Sequence, residues 1–403
     1  MLTMTEALAR VMSAARAPLA ERVSLDRALG RVLLEDLRCS RNIPPWDNSA
    51  MDGFAVRHTE VPGRLRVLET IAAGSQPTRT VEPGTCSRIM TGAPMPSGAD
   101  AVVMVESSRT EGDHVHLDGG AAPGQHVRRK GGDVAEGEQV LSRGRRLGPA
   151  ELGLISSLGM PSVLVAQRPR VAILSTGDEV VEPGWPVAGG QIWSSNTQTL
   201  MALVREAGGE PIHCGIAPDE RAGLEAALAR CARADLVLST GGVSMGDYDI
   251  VREVFSDLDF WKVAIKPGKP LAFGDLGGVP LFGLPGNPVS CMVNFLEFVR
   301  PVLRTMLGDP KPYLPVRPAR LTHAVHKKPG RVVLARVALS WGEEGLVATP
   351  TSSQSSGVLT TMMQADGLTL IPQEWGTVEA GGQVPVQILR WDWAGSADHG
   401  YPS

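Results

Sequence analysis

The sequence predicts a multidomain chain of the α/β-plus-β class, centred on a mostly parallel sheet with helices on both faces. Three observations predict it. Between Pro169 and Leu307, short apolar runs alternate with loops and helical stretches. Ahead of that, from Pro44 to Glu136, short apolar runs are cut by Gly and Pro. Behind it, past a proline-rich linker, strands alternate with Gly/Ser turns. At 403 residues the chain is long enough for roughly two to four domains, each with its own core.

Taken in order, residues 1 to about 40 read as helical. Ala7, Leu8, Val11 and Met12 recur at helical spacing, and Leu25, Ala28, Leu29, Val32 and Leu33 repeat the pattern. RLRVLETI, SRIM, ADAVVMVE and HVHL read as strands of a β-rich module over 44–136. Residues 137–168 return to mixed character, with GPAELGLISSLGM as a short helix. If that stretch packs back on the N-terminal helices, 1–43 with 137–168 form one discontinuous domain and the module is an insertion. The α/β domain covers 169–308. Its strands are VAILS, EPIHCGI, DLVLS, FWKVAI, PLAFG and PLFGL, with IVREVF a further apolar run after the loop that follows DLVLS. Asn196 is read as the cap of TQTLMALVREAG, Asp219 as the opening of the next helix. Asn287 with Pro288 starts a long helix through Leu307. Lys311–Pro318 is the linker, and 319–392 is a small all-β domain.

Composition excludes several classes. Hydrophobic residues make up 43% and charged residues 20%, as in a soluble globular protein. The net charge of −4 offers no field for nucleic acid or an acidic membrane, and Arg128-Arg129-Lys130 is too short to create one. Cys39, Cys86, Cys214, Cys231 and Cys291 are scattered and odd in number, which speaks against a disulfide framework or a zinc knuckle. They read as reduced thiols of a cytoplasmic protein. The charged N-terminal stretch does not read as a signal peptide, and no window approaches the ~20 apolar residues that span a bilayer.

Three loops leave the carboxyl ends of strands, where open α/β sheets bind ligands. They are Ser175-Thr176-Gly177-Asp178-Glu179, the run from Ser239 to Asp249 that includes Gly241, Gly242 and Ser244, and Gly283 to Pro288 with Pro285. Glycines let backbone N–H groups approach an anion, and hydroxyls add donors. Glu179, Asp247 and Asp249 supply acids, which in a phosphate site commonly hold Mg²⁺. Lys262, Lys266 and Lys269 supply point charges. Each loop alone reads as a plain turn; three at strand ends in one α/β unit, with lysines nearby, read as an anion site. Neither a dinucleotide fingerprint nor a Walker A sequence is present. Gly242-Val243-Ser244-Met245-Gly246 does match the nucleophile elbow of α/β-hydrolases. The acid and His that must follow Ser244 in that fold are not in place, since His323 and His326 lie beyond the linker, so the serine hydrolase stays a minor alternative.

Read together, NSAMDGFA (48–55), RIMTGAPMPSGADAVVM (88–104), VRRKGGDVAEGEQVL (127–141), STGDE, STGGVSMGDYD, WKVAIKPGKP and GLPGNPVS closely resemble the molybdopterin molybdotransferase family, which includes the gephyrin E domain. The resemblance implies a central three-layer α/β domain, an inserted β-rich module, an elongated N-terminal α/β part and a small C-terminal β-barrel-like domain. It implies a transferase that inserts molybdenum from molybdate into adenylylated molybdopterin and releases AMP. Asp249, Glu179, Asp219 and Asp52 would be catalytic, with Asp249 and Glu179 on Mg²⁺. Thr91, Asp133, Ser175, Thr176, Gly241, Gly242, Ser244, Lys262, Lys266, Lys269, Pro285, Pro288, Arg336 and Ser356 would bind substrate. It further implies a homodimer with an inter-subunit active site, supplied by a molybdopterin adenylyltransferase. A pterin-binding scaffold without catalysis is the non-enzyme alternative.

Overall fold

The structure is a computed structural model that describes residues 1–231, 233–241 and 258–395. Gly242, Ser244, Asp247, Asp249 and the run IVREVF lie outside the described residues. The chain divides into two compact units. One holds Met1–Val23, Ala28–Leu34 and Leu164–Ser403; the other holds Ser24–Arg27 and Glu35–Val163.

The first unit contains the α/β domain. Its elements are β1 (Arg170–Thr176), α1 (Ser195–Ala207), β2 (Glu210–Ala217), α2 (Arg221–Cys231), β3 (Leu236–Thr240), β4 (Leu258–Lys262), β5 (Pro270–Leu276), β6 (Val279–Leu284) and α3 (Pro288–Asn294). The sheet order is β2-β1-β3-β6-β5-β4. The first four strands run parallel, and β5 is antiparallel to both its neighbours. Strand side chains alternate between faces, and β1 shows it. Val171 and Ile173 join a core with α1 and the C-terminal helix, while Ala172 and Leu174 join one with α2. Burial on both faces is why these strands read as unbroken apolar runs.

The long helix expected from Pro288 is present to Met306, but Phe295–Val299 widens into a π turn. Pro301 has no N–H to give the carbonyl of Glu297, which opens the ladder there. Ala7 and Val11 of the first helix, Met4–Met12, pack into the same core. A closed five-stranded barrel follows, ordered Val316–Leu321, Gly345–Pro350, Arg336–Gly342, Gly367–Thr369, Gln383–Ile388.

The second unit carries a six-stranded sheet ordered Ala101–Met104, Gly53–Val56, Thr85–Ile89, Gly63–Ile71, His114–Leu117, Ser108–Glu111. Phe54 and Val56 face one core and Ala55 the other. Gln139–Leu141 pairs antiparallel with Leu37–Arg38, a strand rather than one of the N-terminal helices.

One expected helix is absent. Leu25–Arg27 is a single 3₁₀ turn, and Leu29 is 57% exposed although it sits on the expected apolar stripe. Gly30 turns left-handed at φ 74°, and Leu33 pairs antiparallel with Val165. Glycine and the β-branched Val32 favour that extended pairing over helix.

Candidate functional site

Strands β1, β3 and β6 lie side by side in parallel register, Ser175 opposite Thr240 and Thr240 opposite Leu284. Their carboxyl ends therefore open on one place. A cavity of about 580 Å³ sits there, lined by Ser175, Thr176, Glu179, Thr240, Gly241 and Pro285–Pro288 among others. All three sequence-predicted loops reach it.

The hydroxyls divide the work. Ser175 Oγ, buried, shares a hydrogen bond of 2.7 Å with Thr197 Oγ1, which shares another of 2.7 Å with Ser194 Oγ. That chain ties β1 to the start of α1 and occupies the Ser175 hydroxyl. Thr176 Oγ1 is buried without a hydrogen-bond partner among the described residues. Leaving a buried hydroxyl unpaired costs roughly 1–3 kcal/mol, a reason to expect a ligand at that atom. Gly241 has φ 95°, and a Cβ there would lie 2.6 Å from the Thr176 carbonyl oxygen. Only glycine lets the β3 loop pass β1 so closely.

Asn196 is not the helix cap expected from the sequence. Ser194 occupies the cap position, without a side-chain capping bond. The Asn196 amide instead donates to Thr240 Oγ1 at 2.9 Å and to the Gly286 carbonyl at 2.8 Å. It clamps the β3 loop to the β6 loop, and its own buried Oδ1 has no partner among the described residues.

Of the candidate acids, Glu179 alone among the described residues lines the cavity. It is exposed. Asp219, half-buried, donates its backbone N–H to Asp178 Oδ1 at 3.1 Å. Burial raises the Asp219 carboxyl above the usual aspartate range, and the negative charges of Asp178 and Glu179 add to the rise. Asp249 lies outside the described residues. Among the described residues, no group of three or more His, Cys, Asp and Glu side chains could hold a metal ion by itself.

The basic and C-terminal residues are placed differently. Lys262, Lys266 and Lys269 are exposed. Lys266 lines a second cavity of about 470 Å³ with His323, His326 and Arg336. Arg336 is fully buried: Nε donates to Thr361 Oγ1 at 3.2 Å, and Nη2 donates to the Ser353 and Ser355 carbonyls at 3.0 and 3.1 Å. Burial lowers its pKa to about 10. It shapes the loop carrying Ser356 and Gly357. The Ser356 carbonyl accepts the Val289 N–H at 3.1 Å, while Gly357 lines the first cavity. Pro288 has no N–H and that of Val289 is used, so the first two positions of α3 offer an anion no backbone donor.

In the other unit, Asp52 Oδ1 accepts the Thr91 N–H at 2.6 Å and the Thr91 hydroxyl at 2.7 Å. Those two bonds, the backbone one foremost, hold the Asp52 carboxyl below the usual range. Asp133 is exposed. Asp47 accepts from Lys130 N and Arg129 Nη1, both at 2.7 Å, which gives Arg129 a structural use. The cavity also takes in Ile192, Trp193, Ser194, Ser195 and Pro270, which sequence reasoning passed over. Ile192 and Trp193 lie between a Gly-rich turn and a helix start, where neither periodicity nor a motif marks them.

Comparison with known proteins agrees along the chain. Residues 2–159 match the MoeA N-terminal region (domain I and II), 172–305 the "Probable molybdopterin binding domain", and 318–389 the MoeA C-terminal region (domain IV). Molybdopterin molybdenumtransferase 2 of Mycobacterium tuberculosis is 41% identical, covering 92% of this chain and 94% of that protein. Molybdopterin molybdenumtransferase of Haemophilus influenzae is 36% identical, covering 96% and 98%. A solved molybdopterin biosynthesis MoeA protein from Pyrococcus horikosii superposes with a TM-score of 0.83 at 33% identity, covering 97% of this chain and 99% of that one. With the domain matches, the shared fold and identity over nearly its full length, this chain belongs to the MoeA family of molybdopterin molybdenumtransferases.

Proposed function

We propose that this chain completes the molybdenum cofactor. It binds adenylylated molybdopterin in the cavity between Ser175 and Pro288, takes molybdate, and places molybdenum on the dithiolene sulfurs with release of AMP. The observation that carries this is the convergence of three loops on one cavity, where the buried Thr176 hydroxyl has no partner among the described residues. That hydroxyl donates to a phosphate oxygen of the substrate. Gly241 lets the chain pass close to the same group, and Asn196 holds the two flanking loops in register. Asp219 stands beside Asp178, and its carboxylate adds to the negative charge that a bound cation would offset.

Mg²⁺ fits the donor set. It needs only one or two carboxylates when phosphate oxygens and water complete its shell, and Glu179 at the cavity supplies one. Glu179 and Asp249 would hold it, and when bound it would neutralise charge on the anhydride oxygens. Asp178 and Glu179 repel the Asp219 carboxylate, which a cation between them would relieve. We further propose a cytoplasmic homodimer in which Asp52, Thr91 and Asp133 of one chain complete the cleft of its partner. A molybdopterin adenylyltransferase would supply the substrate. No helix among the described residues is long and apolar enough to cross a membrane.

The test incubates the purified protein with adenylylated molybdopterin, molybdate and Mg²⁺. Release of AMP together with cofactor that reactivates an apo-molybdoenzyme is expected. Tight binding with no AMP released would overturn the transferase reading in favour of a pterin-binding scaffold.

A further inference from the structure

The stretch between Glu179 and Ser194 is used by none of the steps above. Val180–Val181 pairs in parallel with Ile192–Trp193, making a short ribbon that leaves the end of β1 and returns to the start of α1. Two backbone bonds fix it beside the acids: Ile192 N–H to the Glu179 carbonyl at 2.7 Å, and Ser194 N–H to the Val181 carbonyl at 2.8 Å. The ribbon carries an unusual load for an exposed segment. Trp185 is 68% exposed, Ile192 58% and Trp193 57%. A single exposed apolar residue needs no account, but large ones clustered at the mouth of a cavity mark a contact surface.

Trp193 is held in place. Its indole Nε1–H donates to the Trp185 carbonyl at 2.9 Å, which uses the one polar atom of the ring and fixes its orientation. What remains for a ligand is the flat π face. Ile192 and Trp193 both line the cavity, on a wall otherwise formed by Ser194, Ser195 and Asn196. The cavity therefore joins two chemistries: hydroxyls, amides and acids toward the strand ends, and an aromatic surface at the ribbon.

We infer that Trp193 is a ring-stacking subsite, on which a fused bicyclic heteroaromatic ring of the substrate lies while its phosphate reaches Thr176. This inference rests on the function proposed above, and it adds the group that selects for a flat ring. Aromatic faces prefer offset stacking on such rings, and the preference is tolerant of ring identity. Adenylylated molybdopterin carries two candidate rings, a purine and a pterin, and the experiment separates them.

Calorimetric titration with AMP and with molybdopterin is done on the wild type, Trp193→Ala and Trp193→Phe. Removing a stacking aromatic weakens ring binding by roughly 5- to 100-fold. Loss of that size for AMP alone assigns the purine, and for molybdopterin alone the pterin. Trp193→Phe should restore most of the affinity, which a role in folding alone would not explain, and an unchanged melting temperature in Trp193→Ala confirms an intact fold. Wild-type affinity of Trp193→Ala for both ligands overturns the subsite and leaves the proposed function standing. A changed oligomeric state with both affinities intact also overturns it and makes the patch a contact between copies. A wild type that binds neither ligand overturns the functional reading and this subsite with it.

Discussion

Thr176 shows how a stability cost and a binding role meet in one atom. Its hydroxyl is buried and has no partner among the described residues, so replacing it should relieve the fold. Thr176→Val keeps the shape and removes the donor. Chemical denaturation should show stability unchanged or raised by up to about 1 kcal/mol. AMP affinity should fall several-fold at the same time. A variant destabilised by several kcal/mol would show that the hydroxyl serves the fold. At this scale the sequence was legible in part. Ser175, Thr176, Glu179 and Gly241 reach the cavity as their loop positions implied. The direction a side chain takes was not legible: Ser175 turns to Thr197, Asn196 spans two loops, and Nε and Nη2 of Arg336 are engaged by its own domain. Those outcomes depend on contacts across tens of residues, which no local pattern records.

Elements were more legible, because their signal is local. The apolar runs expected as strands between Val171 and Leu284 became strands, and for the inner ones, β1, β3 and β6, burial on both sheet faces demands such runs. Leu25–Leu33 failed because a helical period there competes with Gly30 and with pairing to Val165. The π turn was also hidden, although Pro301 marks it in retrospect. It has a measurable consequence. Glu297 is buried within it, and Gln387 Nε2 of the barrel donates to its Oε2 at 3.4 Å. Burial pushes the carboxyl up to about 7, against the opposing pull of Gln387 and Arg300. A carboxyl raised in the folded state favours folding below its unfolded value, and that contribution is lost as pH rises through the folded value. Wild-type stability should therefore decline between about pH 4.5 and pH 7 through this group. Glu297→Gln cannot ionise. At pH 8 it should exceed the wild type by on the order of 3 kcal/mol, the advantage vanishing near pH 5. Parallel stability curves for the two proteins from pH 5 to pH 8 would refute the assignment.

At the scale of the molecule, the candidate site residues are divided between two compact units. Asp52 and Thr91 form their hydrogen-bonded pair in one compact unit, while Thr176, Glu179 and Asn196 build the cavity in the other. The proposed homodimer gives both sets one task, and this makes a demand that a self-sufficient monomer does not. An Asp52→Ala chain lacks one half of the cleft, and an Asp249→Ala chain lacks the other. Each variant should be inactive alone, and Asp52→Ala should keep its fold because Asp52 is exposed. Co-expressed, the two form mixed dimers in which one cleft carries both defects and the other carries neither. With random pairing, half of the dimers are mixed and half of their clefts are intact, so about a quarter of wild-type AMP release should return. Each chain acting on its own predicts no recovery at any mixing ratio. Recovery that rises and falls with the ratio, greatest at equal amounts, identifies the two-chain cleft by the stoichiometry it requires.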